Sequence, residues 1–83
     1  DPVEVHNAEL LHDVRVSEPE VDAIARRVVR TITGDARVRD LVAAIGRDGQ
    51  GFRAVARLVG TGELDLVNHE RISPDSLVRR RAN

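Results

Sequence analysis

The chain of 83 residues has no cysteine, methionine, tryptophan, tyrosine or lysine, and its only aromatic residue is Phe52. Without cysteine there are no disulfides and no thiolate metal sites, and the redox compartment is left undetermined. Without aromatics the core must be aliphatic, drawn from 24 valines, leucines and isoleucines and nine alanines. At about 1.5–3 kcal/mol per fully buried large apolar side chain, roughly a dozen such residues offset the ordering entropy of one small domain. No apolar run approaches the ~20 residues needed to cross a membrane, and no leader pattern is present. The expected location is the cytoplasm. The chain opens on Asp1-Pro2, which fits a domain excised from a longer protein.

Lysine is absent, so all thirteen basic residues are arginine. Arginine suits two-pronged contacts to carboxylate, phosphate and guanine. The net charge of −1 conceals an asymmetry. Residues 1–24 carry seven acids and one arginine, whereas residues 25–83 carry twelve arginines and seven acids. An acidic arm beside a basic module would look this way, and so would many solvated surfaces.

In residues 1–16, Val3 and Val5 alternate with Glu4 and His6 as in a strand, and Ala8 to Leu11 allow a helical turn. The expectation is an extended N-terminal arm, packed through Leu10, Leu11, Val14 and Val16, or a linker. Ser17-Glu18-Pro19-Glu20 then reads as a capping box with proline in the first turn. Val21, Ile24, Ala25, Val28, Val29 and Ile32 keep helical spacing, predicting a helix over about 18–33. Asp35 stands as the cap of a second helix, about 36–45, with Val38, Leu41, Val42 and Ile45 on its apolar face. Gly46-Arg47-Asp48-Gly49 forms the turn, with Asp48 or Gly49 capping the next helix. This third helix, about 49–60, carries Phe52, Val55, Ala56 and Val59 on one face. Leu64-Asp65-Leu66-Val67 and Leu77-Val78-Arg79-Arg80 then predict a hairpin over about 63–81, with Ile72 as an anchor in its loop. The predicted fold is mainly α with a small β-hairpin, in residues 17–83.

Two short helices joined by a glycine-containing turn are the mark of a helix-turn-helix. In that reading Gln50, Arg53, Ala54 and Arg57 face bases or flanking phosphates from the third helix. Arg79, Arg80 and Arg81 touch the backbone from the hairpin and tail. Arg26, Arg27 and Arg30 either reach phosphates or form a solvated face with pairs such as Asp22–Arg26. His6, His12 and His69 lack metal-ligand spacing, and no Ser/His/Asp arrangement occurs. Neither an enzyme nor a metal, cofactor or small-molecule substrate is expected.

The order helix, helix, turn, helix, hairpin resembles the winged helix-turn-helix superfamily over residues 18–81. A narrower likeness lies in Ala56-Arg57-Leu58-Val59-Gly60-Thr61-Gly62-Glu63-Leu64-Asp65-Leu66, followed by Ile72-Ser73-Pro74-Asp75-Ser76-Leu77-Val78. It is similar to the winged-helix appendage of TnsA-type transposition endonucleases. The nuclease motifs are missing, so only an accessory role is implied. The resemblance implies a module that binds double-stranded DNA within a larger bacterial or phage regulator or transposition protein. The alternative is a winged helix devoted to protein interaction or homodimerisation, the latter through the N-terminal arm.

Overall fold

The computed structural model describes residues 1–81, with the side chain of Asp48 outside the description. Four helices and a three-stranded antiparallel sheet follow one another as α1 (Pro2–Asp13), α2 (Pro19–Val29), β1 (Asp35–Arg37), α3 (Val38–Ile45), α4 (Asp48–Thr61), β2 (Leu64–Leu66) and β3 (Leu77–Arg80). The mainly helical fold with a small hairpin is as expected, and three of the predicted elements need correction.

Residues 1–16 are not an extended arm. The Asp1 carboxylate accepts from the Val3 amide at 2.9 Å and Pro2 occupies the first turn, which together start α1. Val3, Asn7, Leu10 and Val14 keep the spacing of one helix face, and each is partly or fully buried. The strand-like alternation misled because Val5 points to solvent, 56% exposed.

α2 ends at Val29, a turn short of the prediction. Thr31 tightens the exit by donating both its amide and its hydroxyl to the Val28 carbonyl. Ser17 does not cap; Glu18 holds the N-cap position without a side-chain cap bond, and its carboxylate is used elsewhere.

Residues 35–37 are a strand rather than the start of the second helix. They pair with β3 in the register Asp35↔Arg79, Ala36↔Val78 and Arg37↔Leu77, and β3 pairs on its other edge with β2. The sheet order is β1-β3-β2. The strand captures Asp35, so α3 begins at Val38, whose amide donates to the Ser76 carbonyl at 2.9 Å. α3 closes on Gly46 and α4 on Gly62, with φ of 77° and 84°, the left-handed conformation that glycine adopts most cheaply. α4 starts at Asp48 with Arg47 in the N-cap position.

The core unites Val21, Ala25 and Val29 of α2, Val38, Leu41 and Ile45 of α3, Ala54, Val55 and Leu58 of α4, and Leu64 and Val78 of the sheet. α4 therefore turns Ala54 and Leu58 inward, while Phe52 and Val59 are only half-buried. Ile72 anchors the β2–β3 loop as expected, 4% exposed. Buried Ser76 satisfies its hydroxyl by donating to the Arg71 carbonyl and accepting from the Ser73 amide.

Candidate nucleic-acid interface

α4 is enclosed on two opposite sides. A Cβ at Gly51 would lie 3.4 Å from Val42 of α3, and one at Gly60 would lie 3.2 Å from Leu11 of α1. Nine residues at 3.6 per turn put these glycines half a revolution apart. Ala56, one turn before Gly60 on the same side, is completely buried although it lies outside the main core. α4 is thus packed on two sides, while Gln50 and Gly60 are exposed and the Arg53 side chain is 44% exposed.

Its predicted contact residues separate accordingly. Ala54 is 1% exposed and belongs to the core, so it reaches no base. Arg57 turns inward, its side chain 9% exposed. It donates to the Asp22 carboxylate through Nη2 at 2.6 Å and Nε at 3.2 Å, and to the Val14 carbonyl through Nη1 at 3.1 Å. The helical pair expected between Asp22 and Arg26 is replaced by this longer-range one. Arg53 grips both oxygens of Glu18 through Nε at 3.0 Å and Nη2 at 3.3 Å. That hydrogen bond, above all else, holds the Glu18 carboxyl below the usual range and raises Arg53 above its own. Only Gln50 of the four is exposed without a side-chain hydrogen bond among the described residues.

The tail arginines behave differently. Arg79 pairs with Asp35 at 2.9 Å and stays more than half exposed; Arg81 pairs with Asp65 and does the same. The Asp65 carboxyl is held below its ordinary value, first by the Arg81 hydrogen bond. Arg80 donates through Nη1 to the Arg30 carbonyl at 3.0 Å, closing the C-terminal end of α2.

β3 thereby meets the last turn of α2. Arg26, Arg30, Arg80 and Arg81 converge around one cavity of about 590 Å³, in which Glu63 supplies the opposing charge. Glu63 accepts from Arg26 Nε at 3.0 Å and from the Thr61 hydroxyl at 2.8 Å, and its carboxyl is lowered chiefly by Arg26. A neighbouring cavity of about 510 Å³ is bordered by Arg79, Arg80 and Asp35. Arg27 and Arg30 have no carboxylate partner among the described residues.

No protein-family model, curated protein or solved structure matches the chain. Its candidate site therefore rests on its own geometry. Among the described residues, no group of three or more His, Asp or Glu side chains comes together as a metal site would require. Among the same residues, no helix is long and apolar enough to cross a membrane. What the arginine surface offers is a set of planar, permanently charged donors at the mouths of two adjoining cavities, suited to phosphate oxygens. Three of the seven predicted contact residues, Arg79, Arg80 and Arg81, lie on it. Arg26 and Arg30, which the sequence offered either as phosphate contacts or as a solvated face, are brought to them by the fold from a distant part of the chain.

Proposed function

We propose that this chain is a winged-helix module that holds the phosphate backbone of double-stranded DNA on the α2–β3 arginine surface, with Arg53 and Arg57 of α4 committed to acids of α2. The observation that carries the reading is the convergence of Arg26, Arg30, Arg80 and Arg81 on one cavity. Backbone contacts fix position and supply affinity without reading sequence. From α2 onward, the order helix, strand, helix, turn, helix, strand, strand, with sheet order β1-β3-β2, supports the winged helix-turn-helix assignment. In keeping with the resemblance seen in the sequence, the module belongs to a larger bacterial or phage regulator or transposition protein.

The test is fluorescence anisotropy with a labelled duplex across a salt series. Affinity should fall linearly on a log–log plot, by about 0.9 in slope per phosphate neutralised. The double substitution Arg30→Ala/Arg80→Ala should lower that slope by roughly 1.8, and Gln50→Ala should leave it unchanged. Absence of binding at low salt, or a slope that ignores Arg30 and Arg80, would sink the proposal.

A second reading, a protein-interaction winged helix without DNA binding, is favoured by the enclosure of α4 between α1 and α3. It predicts no salt-dependent duplex binding by either the parent chain or the variants.

A further inference from the structure

We infer that α1 is an exchangeable element, and that the α4 side it covers is an interface for the α1 of a second copy of this chain. The dimer forms when two chains trade their first helices.

The contacts that seat α1 are few, specific and independent of the connection to α2. The Asn7 amide bridges the β2–β3 loop: Nδ2 donates to the Glu70 carbonyl at 3.0 Å, and Oδ1 accepts from the Ile72 amide at 2.8 Å. The Asp1 carboxylate meets His69 Nε2 at 2.7 Å. Leu11 packs on Gly60, where an added Cβ would lie 3.2 Å from its Cδ2. Every one of these contacts joins α1 to α4 or to the β2–β3 loop, far along the chain. All of them form equally well with an α1 supplied by another molecule, so exchange sacrifices none.

Leaving the seat also disturbs little of the main core. No residue within α1 itself is fully buried. The connector from Val14 to Glu18 is short, and Arg15, Val16 and Ser17 are exposed. Its turn is secured by the Arg15 amide and guanidinium, both donating to the His12 carbonyl. Once opened, the four steps from Val14 to Glu18 span on the order of 13–14 Å, enough to carry α1 away from its own body. Val14 travels with α1, because its buried side chain and its carbonyl, held by Arg57, find the same seat on the α4 of the second copy. Val16 is 71% exposed in the single chain. At a crossover of two opened connectors it meets its counterpart, an apolar contact that the monomer cannot make.

The absence of cysteine makes the test direct. A Leu11→Cys/Gly60→Cys chain places a unique thiol on each side of the seat, and replacing Leu11 removes the group that would obstruct a side chain at position 60. After oxidation at increasing protein concentration, denaturing gels without reductant distinguish a disulfide within one chain from one between two. The expected result is a band of twice the mass that grows with concentration, together with a doubling of sedimenting mass for the unsubstituted full chain. Disulfides confined to single chains at every concentration, or an unsubstituted chain that stays monomeric throughout, would overturn the inference. Sedimentation of the unsubstituted chain decides the matter if the double variant fails to fold. Neither readout uses DNA, so this result stands apart from that of the proposed function.

Discussion

α4 and the α2–β3 surface each carry arginines, and the difference between them lies in what stands opposite. Arg53 and Arg57 of α4 face Glu18 and Asp22, one turn apart on α2, so their charge is used to lock two helices together. On the other surface, Arg79 and Arg81 pair with strand residues yet remain more than half exposed, and Arg27 and Arg30 meet no carboxylate among the described residues. An arginine's position on a helix face does not determine whether it is available to a partner. The burial and location of the nearest acid do.

Arg57→Ala should break this comparison most forcefully. Both side chains of the Arg57–Asp22 pair are 9% exposed, so removing one partner leaves a nearly buried charge uncompensated. Such losses cost about 3–5 kcal/mol. For a domain of this size that lowers the melting midpoint by more than about 10 °C, which thermal denaturation followed by circular dichroism would detect. Arg81→Ala, by contrast, should move the midpoint little, because solvent screens an exposed pair. Equal losses from the two substitutions would contradict the distinction between a locking arginine and an available one.

Asn7→Ala comes next in size. It strips a donor from the Glu70 carbonyl and an acceptor from the Ile72 amide, both at part-buried positions. A loss of about 1–3 kcal/mol is expected, seen as a lower midpoint and faster hydrogen exchange in α1. An unchanged exchange rate in α1 would show that the bridge does not hold the helix.

These outcomes also bear on how much of the molecule was legible in the chain. α3 and α4 were visible almost to their ends because apolar spacing and the terminal glycines Gly46 and Gly62 point the same way. The β2 and β3 strands were visible from Leu64-Asp65-Leu66 and Leu77-Val78. β1 was not: Asp35-Ala36-Arg37 has no pattern of its own and becomes a strand only because β3 lies beside it. α1 was hidden by the coincidence that Val3 and Val5 alternate with polar residues. At the site, the Arg79–Arg81 run was plain, whereas its union with Arg26 and Arg30 depends on how β3 meets α2. The locked state of Arg57 was equally hidden, since its partner Asp22 sits 35 positions earlier and suited Arg26 just as well by spacing.

A smaller effect sharpens the comparison from the acidic side. Asp65→Asn releases Arg81, whose guanidinium then has a phosphate as its best partner. Duplex affinity should rise several-fold at low salt, with about 0.9 more in the salt slope, measured by the same anisotropy titration. Glu18→Gln should release Arg53 on α4 without that gain, since α4 lies outside the proposed contact surface. A rise with Glu18→Gln and none with Asp65→Asn would return the DNA contact to α4.

The smallest effect is the response of stability to acid, and its sign comes from the same pairs. Glu18, Glu63 and Asp65 all titrate below their ordinary values in the folded chain, each chiefly through an arginine hydrogen bond. The unfolded chain binds protons first, so the stabilisation is fully present above the ordinary carboxylate range of about 3.9–4.3 and fades as pH falls through the lower folded values. Lowering the pH from neutral to about 5 should therefore leave the melting midpoint unaffected by these three groups, and a decline should begin near about 4. All three carboxylates are solvent-accessible, so the decline is shallow and weakens further in high salt. Glu18→Gln should remove the part of the decline that belongs to the α2–α4 lock, and Asp65→Asn the part that belongs to the arginine surface. If both variants kept the parent's full acid response, these two pairs would not be its source.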